Sequence, residues 1–216
     1  SRTGANGAVN LGSGLTVHNN FTWPAANNGL IYLNNNNFTI ANTASVNFAF
    51  ASANNMFVSN GNGKLVREVP GGISSSTEFL FPIGEITGVK EYSPISLTFT
   101  ATSAVPAMRK IGAGVIDMRH PNDLLSNSHF LTRYWPMTCD DVTGTYTCYP
   151  NIRYITGAGT DVNGTESMIL INRFNPFAST WAEYPTALSS PTMATIDAVT
   201  NPDFLLADFD ITRRKN

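Results

Sequence analysis

The feature that most constrains this chain is a period of two. In Phe79-Leu-Phe-Pro-Ile-Gly84, the apolar Phe79, Phe81 and Ile83 alternate with other residues. In Tyr92-Ser-Pro-Ile-Ser-Leu-Thr-Phe-Thr100, Ile95, Leu97 and Phe99 alternate with Ser96, Thr98 and Thr100. Successive side chains of a strand point to opposite faces, so this spacing predicts two half-buried strands. Gly84 and Gly88 fall in the connection, where a turn can use positive φ. The pair carries no chemistry and reads as one wall of a β-sandwich.

The same pattern extends in both directions. Lys64–Val69, Met108–Met118, Phe130–Met137, Tyr146–Thr156, Ser167–Phe174, Thr180–Tyr184, Ala194–Ala198 and Phe204–Phe209 all read as strands, and Pro121–Leu125 as a single helical turn. About seven short strands separated by turn signals describe an immunoglobulin-like sandwich. Pro136 inside a strand pattern suggests an edge or a bulge, because proline cannot donate to a ladder. Residues 1–70 have a different texture. Apolar pairs (Leu15/Val17, Phe21/Trp23, Ile31/Leu33, Phe38/Ile40, Val46/Phe48) are separated by Asn-rich turns such as Asn34–Asn37 and Ser59-Asn-Gly-Asn-Gly63. Leu15, Ile31 and Val46 begin comparable units, a spacing of about 15 or 16 residues. Either a small β-solenoid or successive hairpins fits, since Asn tolerates left-handed turns and also forms side-chain ladders. The expected organisation is therefore all-β: an Asn-rich short-strand array over 1–70 followed by a β-sandwich over 71–216, with no long helix.

Only 13% of the 216 residues are charged, against about 25% in typical soluble domains. The net charge of −2 gives no electrostatic case for nucleic acid or an anionic membrane. No apolar run approaches the roughly 20 residues of a spanning helix. A secretory leader is not seen, so any such segment is expected to have been removed or to lie outside this sequence. Residues 1–63 contain one charged side chain, Arg2, which leaves sheet edges there unguarded and open to another chain.

Cys139 and Cys148 bracket a segment with turn chemistry at Asp141 to Gly144. A hairpin there would set the two sulfurs face to face across the ladder, so a Cys139–Cys148 disulfide is expected, the alternative being two free buried thiols. Neither cysteine has a His or Cys partner at metal-ligand spacing.

Several segments together carry a resemblance. Met56-Phe-Val-Ser-Asn-Gly-Asn-Gly-Lys-Leu-Val-Arg67, Phe79–Gly84, Tyr92–Leu97, Leu131-Thr-Arg-Tyr-Trp135, Asp161–Glu166, Arg173-Phe174 and Trp181 resemble a module of large secreted surface proteins of Bacteroidota, cargo of the type IX secretion system. The resemblance spans Leu11 to Phe209. It implies a repeat-like strand region ahead of a sandwich, and a cell-surface location. Two features depart from it. No sorting domain follows Phe209, which suggests a fragment or processed subunit, and the Cys139/Cys148 pair is not part of the pattern.

Chemical signatures are sparse. His18, His120 and His129 sit in separate segments without a nucleophile motif, and read as loop or strand-end histidines. Glu78, Glu85, Glu91, Glu166 and Glu183 read as solvated charge, a glycosidase pair needing a separation the sequence does not display. Asp161, Asn163 and Glu166 offer oxygens around Gly164 like part of a calcium loop, with Asp140 and Asp141 as further oxygens; Asn163-Gly164 is equally a hairpin turn that needs no ion. No cofactor or metal is expected on these grounds. Trp23, Tyr32, Tyr134, Trp135, Tyr146, Tyr154, Trp181 and Tyr184 could stack on sugar rings, yet alternation directs many to a core; Trp23, beside Pro24, is the one expected to be exposed. The leading expectation is a non-enzymatic extracellular structural or adhesive module that self-associates through sheet edges. The competing one is a carbohydrate-binding accessory module of a secreted enzyme.

Overall fold

A computed structural model describes residues 7–23, 25, 29–105, 107–123, 128–140, 144–156, 159–184, 186–190, 193–196, 199–200 and 209–214. The chain is nearly all β. Among the described residues the one helical element is a 3-10 turn at Glu166–Met168.

The N-terminal region is a stack of short strands. β1 (Val9–Asn10), β2 (Leu15–Val17) and β3 (Asn20–Thr22) are followed by β4 (Ile31–Tyr32), β5 (Phe38–Ile40) and β6 (Ser45–Asn47), then by β7 (Phe57–Val58) and β8 (Leu65–Pro70). β1 to β5 each pair in parallel with the strand three places further on. Val9 lies beside Ile31 and Ile31 beside Phe57; Leu15 beside Phe38 and Phe38 beside Leu65; Asn20 beside Ser45. Partners are thus 22 to 27 residues apart. The expected 15- or 16-residue unit is corrected by this register: Leu15, Ile31 and Val46 belong to three different ladders and are not equivalents. A hairpin would have paired sequence neighbours antiparallel.

Apolar residues fill the stack. Phe21, Trp23, Phe38 and Phe57 pack ring against ring with centroids 4.8–5.5 Å apart. Trp23, expected at the surface, is buried in this cluster. Asn side chains join the layers at one corner. Asn34 and Asn36 donate to the Leu11 carbonyl, Asn60 donates to the Asn34 side chain at 2.7 Å, and the Asn37 side chain accepts from the Lys64 amide. Stacking this close leaves no room for a Cβ at Gly61 or Gly63, where it would meet the carbonyl oxygens of Asn34 and Asn36. The Asn-Gly run is therefore a packing requirement and not merely a turn signal.

β1, β2 and β3 each pair with one neighbour among the described residues, so three edges open at the same end of the stack. At the other end the pairing changes direction. β8 takes β5 in parallel on one side and β13 (Met108–Ala113) antiparallel on the other. After β9 (Thr77–Phe81), β10 (Ile83–Glu85) runs parallel to β7 and antiparallel to β11 (Glu91–Tyr92).

The remaining strands are β12 (Ile95–Thr102), β14 (Phe130–Leu131), β15 (Trp135–Asp140), β16 (Tyr146–Arg153), β17 (Val162–Asn163), β18 (Leu170–Asn175), β19 (Thr180–Tyr184), β20 (Thr186–Ser190), β21 (Met193–Ile196), β22 (Val199–Thr200) and β23 (Phe209–Arg214). One antiparallel sheet runs β9-β12-β16-β21-β20, and the other continues from β8 through β13, β15 and β23, with β18 and β19 beyond. Phe81, Leu97, Phe99 and Cys148 of the first share a single apolar core with Ile111, Trp135, Met137 and Ile211 of the second and with Phe38, Phe57 and Leu65 of the stack.

Three expectations are revised by this topology, and two others reach residues outside those described. Phe130–Met137 is not one strand but two, interrupted at Thr132–Tyr134. Pro136 is not at an edge: β15 lies between β13 and β23, and the Pro136 carbonyl accepts from the Gly114 amide at 3.0 Å. The final strand is Phe209–Arg214, and 204–208 lie outside the described residues, as do Leu124 and Leu125. The Cys139–Cys148 hairpin is not formed, because β15 and β16 belong to different sheets. Cys139 stands opposite Ile111 and Cys148 opposite Phe99, with both thiols buried and no disulfide between them.

Candidate functional site around Arg133

The interruption between β14 and β15 positions Arg133. The Thr132 amide donates to the Asp161 carbonyl at 2.8 Å, Tyr134 exchanges backbone bonds with Ile116, and the Thr212 hydroxyl donates to the Arg133 carbonyl at 2.9 Å. The arginine side chain is fully buried. Its guanidinium bonds to the Ser93 hydroxyl and to Glu91, and lies 3.0 Å from Asp161, 3.4 Å from Asp117 and 3.9 Å from Glu85. Four carboxylates face one guanidinium, which leaves three negative charges unbalanced when all are ionised.

Each member is placed by its backbone. Glu85 and Glu91 are register partners on the β10–β11 rung. Ser93 is fixed by its amide, which donates to Ile83, and by its carbonyl, which accepts from the Trp135 indole at 2.9 Å. Asp161 accepts from the Ile155 amide at 2.6 Å. Burial pushes its carboxyl up to about 6, with Arg133 opposing the shift. Burial also raises the Glu85 carboxyl; the Thr87 amide, 2.5 Å from Oε2, works against this, while Asp117 and Glu91 add to it. The reading of Glu85 and Glu91 as solvated charge is corrected, since their residues are 2% and 8% exposed. Carboxyls this enclosed offer no face to a polysaccharide. The arrangement can hold protons or a cation.

A second polar centre lies near β18 and β19. His120 is buried among the rings of Tyr134, Phe174 and Trp181, at centroid distances of 4.8–4.9 Å. Its Nδ1 accepts from the Asn122 amide at 3.1 Å, so Nε2 carries the proton and donates to Asp210 at 2.9 Å. Both nitrogens are committed, which suits a packing role. His129 accepts from the Thr165 amide, and His18 contributes its carbonyl to Thr43. The three histidines are not brought together.

The Asp161/Asn163/Glu166 set is also dispersed. Asp161 serves Arg133, Asn163 is an exposed residue of β17, and Glu166 accepts from the Tyr154 hydroxyl and lies 3.7 Å from Arg213. Gly164 adopts a left-handed φ of 81°, at a turn where a Cβ would strike the Ser128 carbonyl and the His129 ring. Asp140 pairs with Lys110 on the β13–β15 ladder, and Asp141 lies outside the described residues. Trp135, Tyr146 and Tyr154 are buried with Trp23, as alternation directs, so these aromatic residues do not assemble into a sugar-stacking platform. Sequence reasoning missed Arg133, Asp117 and the Glu85–Glu91 pairing. Two signals were present: an arginine inside the apolar pattern Leu131–Trp135, and two glutamates flanking the Gly88 turn at hairpin register.

Fold and site together define a β-rich protein that encloses an acidic, arginine-centred cluster in its interior. Comparison with protein families, with curated proteins and with solved structures finds no match in any of the three.

Proposed function

We propose that this chain is a non-enzymatic structural module of an extracellular bacterial surface protein. Its parallel stack, read as a small β-solenoid ahead of a sandwich, joins end to end with a second copy. The observation that supports this reading is the trio of edges at β1, β2 and β3 that are open among the described residues. Along a strand, alternate amides point to the same side. The amides of Val9, Leu11 and Leu15 turn inward to Leu30, Tyr32 and Asn37, so those of Asn10 and Thr16 face outward. Val9 and Leu15 are exposed beside them. Charged side chains normally guard such edges, and residues 7–63 contain none. Strand addition from a second copy would satisfy the outward groups.

Light scattering at high concentration tests this. The wild-type chain should associate, and V9K and T16P should each shift it to monomer. Lysine charges the edge, and proline removes an outward donor without touching the inward bonds. A wild-type chain that stays monomeric at the highest attainable concentration contradicts the proposal.

An extracellular location also implies oxidation of the cysteine pair, joining the two sheets through the core instead of closing a hairpin. Both thiols are buried, and burial with the neighbouring Cys139 charge raises the Cys148 thiol. Unreduced protein from its native source should have a mass two hydrogens lighter than the reduced chain. Two alkylatable thiols after unfolding without reductant would count against that location.

A further inference from the structure

We propose that Glu85, Glu91 and Asp117 form a binding site for a hard divalent cation, calcium in preference to magnesium or a transition metal, which ties the hairpin closing the parallel stack to the segment after β13. One oxygen from each of the three carboxylates lies within 4.8 Å of the others. Glu85 and Glu91 stand directly opposite on one rung, where like charges repel unless something lies between them. An independent observation points to what that is. Glu85 Oε1 is buried and receives no hydrogen bond, although its side chain is only 3% exposed. It points toward Arg133 at 3.9 Å, into the space that Glu91 and Asp117 also border. Arg133 cannot neutralise the set alone, because it is shared with Asp161. A buried carboxylate oxygen without a hydrogen bond is costly, and a cation both removes the repulsion and gives Oε1 a close partner.

The donor set selects the ion. All three ligands are carboxylate oxygens with no nitrogen or sulfur, which suits hard cations. Magnesium demands near-octahedral geometry and keeps several waters, whereas calcium accepts irregular oxygen cages. Two of these carboxylates sit in nearly dry surroundings, and the opening to solvent is at Asp117, whose side chain is 29% exposed. That opening is the entry path and the place for remaining water ligands.

The competing explanation is a proton shared between Glu85 and Glu91, which would also occupy Oε1. Thermal melts and calorimetric titration of the purified chain with calcium, with magnesium and with a chelator distinguish the two. At about 100 times its Kd, calcium should raise the melting temperature by about 5–10 °C, magnesium at equal concentration by less, and the chelator should reverse the shift. D117N and E85Q each remove one repelling charge. Without calcium they should melt above wild type, and their calcium affinity should fall at least about tenfold, since ligand charge sets it. Absence of any calcium response in the wild type overturns the site and leaves the shared proton in its place. A response that both variants retain in full also overturns it, because the ion then binds elsewhere. The wild-type melt stands alone should a variant fail to fold.

Discussion

Replacing Arg133 with alanine is expected to destabilise the protein by about 3–5 kcal/mol, the range for breaking a buried ion pair from one side. The substitution leaves Asp161, Glu91, Asp117 and Glu85 facing one another in the interior with no counter-charge from the guanidinium. It also removes the donor to Ser93, whose carbonyl holds the Trp135 indole. Arg133→Lys should recover only part of the loss, since a single ammonium cannot span partners spread around a planar fork. Urea unfolding of the three proteins measures both effects. A loss below about 1 kcal/mol for the alanine variant would place Arg133 among surface pairs in energetic terms, contrary to its burial.

The second large effect is expected at Gly63. A Cβ there collides with the Asn36 backbone of the layer beneath, which cannot move without parting the turns that Asn34 and Asn37 hold together. Gly63→Ala should cost about 3 kcal/mol, the upper end for overpacking, because the obstruction is backbone and not a flexible side chain. Gly12→Ala is the matched control. It lies in the same stack with nothing within 4 Å of its added methyl, and its effect should stay within about 0.5 kcal/mol, as for other unobstructed surface changes. Equal effects at the two positions would mean that the layers are not in the close contact described.

These residues also show what could be read in advance. The alternation of Phe79, Phe81, Ile95, Leu97 and Phe99 named β9 and β12 correctly, because each strand has one face on the core and its pattern is local. The parallel stack was harder to read. Its first seven strands are two or three residues long, too short for a period to accumulate, and partner spacing varies between 22 and 27 residues. The apparent unit of 15 or 16 residues joined strands that face different ladders. The acidic cluster joins Glu85 and Glu91 of one hairpin to Asp117, Arg133 and Asp161 from three distant segments, so only the register of β10 with β11 is a local property. The cysteines illustrate the same limit. Their short spacing suggested a hairpin, but the chain between them crosses from one sheet to the other.

The central claim is that the stack ends in edges that receive another copy of the chain. Amide hydrogen exchange at Asn10 and Thr16, measured residue by residue across a range of protein concentrations, tests it most directly. The inward-bonded amides of Val9 and Leu15 should be protected throughout. The account predicts that Asn10 and Thr16 exchange freely in dilute protein and gain protection as concentration rises. Free exchange of both at every concentration would contradict it.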